Sequence, residues 1–152
     1  MCSSDLALAE EVYDEMCFVE PDREKIVTLM WPALLQEDGI CFVVRGRDKE
    51  IQGGILLRTA EPWFSSRKVL DEKLLFISKK YRNMRSGLRR AKLLCDAAKR
   101  KADELGIPLC IGVFCTHRTE SKMRFYESQF GPSVGGAFLY GATSGDYKMM
   151  EA

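Results

Sequence analysis

One stretch, Leu74–Gly106, limits what this chain can fold into more than any other. It opens with a bounded apolar run, Leu74-Leu75-Phe76-Ile77, which reads as a buried strand. A basic turn, Lys79-Lys80-Tyr81-Arg82-Asn83-Met84-Arg85-Ser86-Gly87, follows directly. Beyond it Leu88, Ala91, Cys95, Ala98, Ala102 and Leu105 recur at alternating steps of three and four, the spacing of a long amphipathic helix with one inner stripe. Ser86 is the expected N-cap. Gly106 is the expected left-handed C-terminal residue, and Pro108 prevents any continuation. Strand, tight turn and helix N-terminus together make an anion site, because the first helical turn has unpaired N–H groups and the positive end of the dipole. Arg82, Arg85 and Arg89 add charge around it.

Two segments resemble a known family. Arg82-Asn83-Met84-Arg85-Ser86-Gly87-Leu88 is similar to the pyrophosphate loop of the GNAT-type N-acetyltransferases, usually Gln/Arg-x-x-Gly-x-Gly/Ala between a strand and a helix. Arg82 matches the first position and Gly87 the last, whereas Arg85 stands where the family usually has its first Gly. Phe125-Tyr126-Glu127-Ser128-Gln129-Phe130-Gly131 resembles the second signature, usually Leu-Tyr-Glu-Lys-Leu-Gly-Phe, with the final Gly-Phe order reversed. The resemblance covers about 40–140 and leaves 1–39 as a helical N-terminal part.

Composition bounds the alternatives. A chain of 152 residues suits one domain with a real core. Net charge is +1, so no overall field draws the molecule to nucleic acid or an anionic membrane. The cationic residues Lys79, Lys80, Arg82, Arg85, Arg89, Arg90 and Lys92 are dense, but only Tyr81 is interleaved for stacking, so nucleic acid is the weaker reading. No apolar run reaches a membrane-spanning length, and Met1-Cys2-Ser3-Ser4-Asp5 lacks a basic leader region. The six cysteines, at 2, 17, 41, 95, 110 and 115, show no paired spacing. They read as reduced thiols of a cytoplasmic protein, with those at 41, 95, 110 and 115 in apolar, core-like segments. With one His and no ligand cluster, no metal is expected.

In chain order, Leu6, Ala9, Tyr13 and Met16 predict a helix over 5–17, and Asp22 caps a second with Ile26, Leu29 and Ala33 inward. Pro32 is expected to kink or split that helix, and Gly39 to end it. Strands over 40–44 and 51–57 form an antiparallel hairpin, Gly53-Gly54 marking a bulge or a close approach. The loop Glu61-Pro62-Trp63-Phe64-Ser65-Ser66 is either packed surface or a lid over a substrate. Residues 69–78 form the strand that feeds the anion loop. The run 109–115, apolar on both faces, predicts a buried strand parallel to 74–77. A short helix over 120–130 and a strand over 137–140 complete the chain.

The expected architecture is a single α/β domain, a mixed, twisted sheet flanked by helices, with the first strand of the GNAT-type fold absent or very short. The resemblance implies direct acetyl transfer from acetyl-CoA to an amine on a small molecule or peptide. It assigns Phe76 and Ile77 main-chain contacts to the acetyl-pantetheine arm, and Arg82, Asn83, Met84, Arg85, Ser86, Gly87 and Leu88 the pyrophosphate. Tyr126 is the candidate acid for the departing thiolate. Asp71 and Glu72 are the candidate bases, with Glu72 preferred. His117, the lone His, stays outside the catalytic set. A homodimer is among the expected assemblies. The remaining readings are a catalytically silent CoA-binding or protein-interaction module and a nucleic-acid binder using 79–92.

Overall fold

The computed structural model of the chain describes residue 11 and residues 22–82, 84–113 and 118–135. The helix expected over 5–17, except Glu11, the strand over 137–140, Asn83, Cys2, Cys17, Cys115 and His117 lie outside the described residues. In order, the elements are α1 (Arg23–Leu34), β1 (Gly39–Arg45), β2 (Ile51–Ala60), β3 (Val69–Ile77), α2 (Met84–Leu105), β4 (Leu109–Cys110) and α3 (Thr119–Phe130). The sheet runs β1-β2-β3-β4, antiparallel over the first three strands and parallel between β3 and β4. This is the mixed α/β architecture expected. No helix of the described residues is long and apolar enough to cross a membrane.

Asp22 caps α1 as its residue type predicts, its carboxylate accepting from Glu24 N–H at 3.0 Å and Lys25 N–H at 3.1 Å. Pro32 does not split the helix. It falls in the last turn, and Ile26, Met30 and Ala33 hold the inner face against the sheet. Gly39 does not end α1 either; the helix stops at Leu34, and Gly39 opens β1 with φ 144°. Gly106 does terminate α2, at φ 65°, with Ile107 N–H returning to the Ala102 carbonyl at 3.2 Å.

Two cores lie on the two faces of the sheet. On one, Ala91, Leu94, Ala98 and Ala102 of α2 cover Ile55, Leu57, Leu70 and Ile77. On the other, α1 covers Leu56 and Leu74. One strand serves both because β3 changes phase along its length. Its register on β2 steps from Leu57↔Glu72 to Leu56↔Leu74, so Lys73 stands opposite no residue. That bulge puts Leu70 in the α2-side core and Leu74 in the α1-side core. Gly53-Gly54 is a close approach, and it also adjoins a register irregularity, where the β1–β2 pairing steps from Val44↔Gly53 to Arg45↔Ile51. A Cβ at Gly53 would lie 2.6 Å from the Phe76 carbonyl oxygen, and one at Gly54 3.1 Å from the Phe76 ring.

Candidate active site

The site is built along β3. At its start β3 pairs with β4 through only two positions, Leu70↔Leu109 and Asp71↔Cys110, with Leu70 N–H on the Pro108 carbonyl at 2.8 Å. From Glu72 to Ile77 no described strand pairs with that edge of β3, although β3 continues for six more residues. The strand expected over 109–115 is therefore shorter than its composition suggested. Ile111–Val113 is half-buried and irregular, and Cys110 is exposed, not a core thiol. An apolar run signals burial, but it does not specify a hydrogen-bonding partner, and here the partner diverges.

Glu72 occupies the point of divergence. Its carboxylate accepts the Gly112 N–H from the segment after β4. Two residues after Leu70 and before the bulge, it stays on the α2 side, close enough to Cys95 for its charge to be felt there. Burial of the carboxyl pushes its pKa from the ordinary carboxylate range to about 7, against the opposing Gly112 hydrogen bond. Asp71, the other candidate, pairs with Lys73. Burial likewise drives the Cys95 thiol up to about 12, which leaves it inert.

The far end of β3 leads into the loop. Ser78 N–H donates to Gln52 O at 3.0 Å, and Lys79–Tyr81 makes one tight 3-10 turn. Helix α2 begins at Met84, so Ser86 lies inside its first turn and is not the N-cap. The first-turn amides of Met84, Arg85 and Ser86 are among those a helix cannot pair internally. Gly87 is buried, and a Cβ there would lie 3.1 Å from Arg82 Cα and 3.3 Å from its carbonyl oxygen. A side chain at this position would press on the Arg82 backbone, and the turn would have to give way slightly.

The side chains around this turn divide into two groups. Arg82 is a brace. Its Nε donates to the Ile77 carbonyl and its Nη2 lies 3.8 Å from Glu11 Oε1. Lys80 pairs with Glu50 at 3.1 Å, Tyr81 donates its hydroxyl proton to Glu50, and Arg90 donates to Gln52 Oε1 at 2.6 Å while its guanidinium stands 5.3 Å from the Tyr81 ring. Lys92 pairs with Asp96. Arg85 and Arg89 are exposed, one turn apart and without a partner among the described residues. The dense cationic run thus offers far less free charge than its composition suggests. Leu88 is exposed and Phe76 and Ile77 pack against opposite cores, so any ligand contact from these two strand residues uses their main chain.

Tyr126 lies half-buried on α3, its ring 5.5 Å from Phe125 and 6.1 Å from Phe130. Phe125 packs against the α2-side core, and α3 is further tied to α2 by Lys99, which reaches the Gln129 carbonyl at 3.4 Å and stands 5.7 Å from the Phe130 ring. Trp63 and Phe64 form an edge-on pair at the β2–β3 turn with Trp63 96% exposed, which removes the packed-surface reading of that loop. The residue that sequence reasoning missed is Lys73. The break in alternation across Asp71-Glu72-Lys73, between inward Leu70 and Leu74, was the available signal.

No protein-family profile matches the chain, and no curated protein matches it. Solved structures do. An aminoglycoside acetyltransferase, meta-AAC0020 from an uncultured soil metagenomic sample, solved with trehalose, is 21% identical with a TM-score of 0.62, covering 92% of this chain and 86% of its own. AAC(6')-Iy in complex with the bisubstrate analog CoA-S-monomethyl-acetylneamine is 15% identical with a TM-score of 0.64, covering 92% of each chain. The ribosomal-protein-alanine N-acetyltransferase of Brucella melitensis biovar Abortus 2308 is 14% identical with a TM-score of 0.59, covering 90% of this chain and 89% of its own. The chain has the fold of the GNAT-type N-acetyltransferases.

Proposed function

We propose that this protein is an N-acetyltransferase that uses acetyl-CoA as acyl donor and an amine-bearing small molecule or peptide as acceptor. The observation that carries the reading is the parting of β3 from β4 at Glu72, with the N-terminus of α2 at the other end of the same strand. An extended thioester arm fits the unpaired edge of β3, and its phosphates fit the first-turn amides of α2 beside Arg85 and Arg89. The acceptor amine attacks the thioester carbonyl carbon, the C–S bond breaks, and the amine nitrogen gives up a proton. Glu72, with a pKa of about 7, is suited to take that proton near neutrality. Tyr126 is the proposed donor to the thiolate. Exposed main-chain N–H groups of β3 polarise the carbonyl.

The test is thermal melting with acetyl-CoA, CoA and an oligonucleotide, followed by CoA release against a panel of amines. A rise in melting temperature with both CoA forms and turnover with at least one amine is expected. Stabilisation by CoA without turnover of any amine would favour a silent binder, and stabilisation by the oligonucleotide alone would overturn the reading.

A further inference from the structure

The turn that leads into α2 is gripped from outside, residue by residue. Glu50, just before β2, takes its two middle residues. The carboxylate accepts the Tyr81 hydroxyl proton and pairs with Lys80 Nζ at 3.1 Å. Glu11 takes the outer two, accepting the Lys79 N–H at 2.8 Å and standing 3.8 Å from Arg82 Nη2. Gln52, two residues beyond Glu50, reaches past the turn at both ends. Its carbonyl accepts the Ser78 N–H at 3.0 Å and its side chain accepts Arg90 Nε at 2.6 Å. Glu50 itself comes from a closed turn. Gly46 N–H donates to the Glu50 carbonyl at 2.9 Å, Lys49 N–H to the Gly46 carbonyl at 3.1 Å, and Glu50 N–H to Asp48 Oδ1 at 3.2 Å. The Tyr81 hydroxyl and the Lys80 ammonium hold the Glu50 carboxyl below its ordinary pKa, so it is ionised at neutral pH.

An exposed ion pair contributes little to stability, so general stapling is a poor account of this arrangement. Its place is more telling. Tyr81 precedes Arg82, whose Cα and carbonyl oxygen are the surface against which Gly87 of α2 packs. We propose that Glu50 is a positioning residue for the acyl donor: through the Tyr81 hydroxyl it fixes the Arg82 backbone on which the first turn of α2 rests. It thus sets donor affinity from the β1–β2 turn without touching the donor. This rests on the reading of the α2 N-terminus as the phosphate site. Charge and position pull in opposite directions here. Removing Glu50 deletes a negative charge and releases Lys80 near that site, which by charge alone would tighten CoA. Loosening the turn weakens it.

Calorimetry with CoA reads the sign. Glu50→Ala is expected to weaken CoA about fivefold, the scale of one net hydrogen bond, and Tyr81→Phe by a similar factor. The two together should lose no more than the larger single loss, because both break one contact. Glu50→Gln, whose amide oxygen accepts the same hydroxyl, should recover most of the affinity. High salt screens the freed Lys80 and should leave the loss in Glu50→Ala intact. With an amine that is turned over, KM for acetyl-CoA should rise and kcat at saturating donor hold. Without any ligand, amide hydrogen exchange in Glu50→Ala should quicken over 79–87 and not in the rest of the sheet. Tighter or unchanged CoA binding by Glu50→Ala, a Glu50→Gln no better than Glu50→Ala, additive losses, or unaltered exchange over 79–87 would each overturn the proposal. A wild type that binds no CoA would remove the donor reading and this role together, whereas a wild type that binds CoA beside an indifferent Glu50→Ala would remove this role alone.

Discussion

The carboxylate of Glu72 takes the Gly112 N–H across the place where β3 and β4 cease to pair. A half-buried acid with a pKa of about 7 has two consequences with opposite signs in pH. As a base it works only when ionised, so kcat/KM should climb through about pH 7, and Glu72→Gln should remove that limb and most of the turnover. For stability, the folded state holds this proton up to about pH 7, whereas the unfolded chain releases it near 4.5. The native form therefore binds more protons in between, and stability falls as pH rises from 4.5 to 7. Glu72→Gln should melt higher than wild type at pH 8 and the same at pH 4. Equal melting at both would show that the carboxyl is not held in a dry place.

Gly87→Ala distinguishes a structural glycine from a merely tolerated one. At an open helical position the change would gain about 0.5–1 kcal/mol. Here the new methyl meets Arg82 backbone at 3.1–3.3 Å, a rigid neighbour that cannot step aside cheaply. Overpacking costs about 1–3 kcal/mol, so the gain should be cancelled or reversed. Acetyl-CoA affinity by calorimetry should fall at least tenfold, and Gly87→Glu should abolish it. Unchanged affinity in a folded Gly87→Glu protein would remove the loop from the binding site.

Arg85 replaces a residue that is usually glycine with a long cation that nothing among the described residues holds. Arg85→Ala should weaken CoA by roughly tenfold, the scale of one lost hydrogen bond to a charged group. Titration with CoA and dephospho-CoA locates the contact. A loss confined to CoA puts Arg85 on the 3′-phosphate, and equal losses put it on the pyrophosphate. Arg85→Gly with undiminished binding would make the side chain incidental.

Tyr126→Phe preserves the contacts of the ring with Phe125 and Phe130 and removes only the hydroxyl. With the hydroxyl as proton donor to the thiolate, turnover should drop roughly 10²-fold while the melting temperature and CoA affinity hold. Near-normal turnover would reduce Tyr126 to packing and leave the proton to water.

What could be read from the sequence followed from repetition. The middle of the α2 stripe, the Asp22 cap and the Gly106 stop are local signals with local causes and stand where they were expected, whereas Leu88 and Leu105 at the ends of the stripe are exposed and Leu94 joins the core instead. The site depends on features that local patterns do not encode. The length of β4 depends on where its neighbour turns away, which the apolar run at 109–115 could not reveal. Ser86 looked like a cap because of its residue type, yet the turn before it tightened early and the helix began at Met84. The charges at 79–92 looked free because their partners, Glu50, Gln52 and the Ile77 carbonyl, come from β2, the turn before it and the end of β3.

The unpaired residue at position 73 makes β3 tolerant of exchange and intolerant of loss. Replacing Lys73 changes one side chain and its link to Asp71. Removing it would restore strict alternation from Leu70 onward and turn one end of the strand over. Leu74 and Leu75 would then trade layers, or Leu70 and Glu72 would both pass to the α1 side, putting a carboxyl under the wrong helix. Length is therefore fixed more tightly than identity at this point, and a relative that varies freely here should still keep one residue in place.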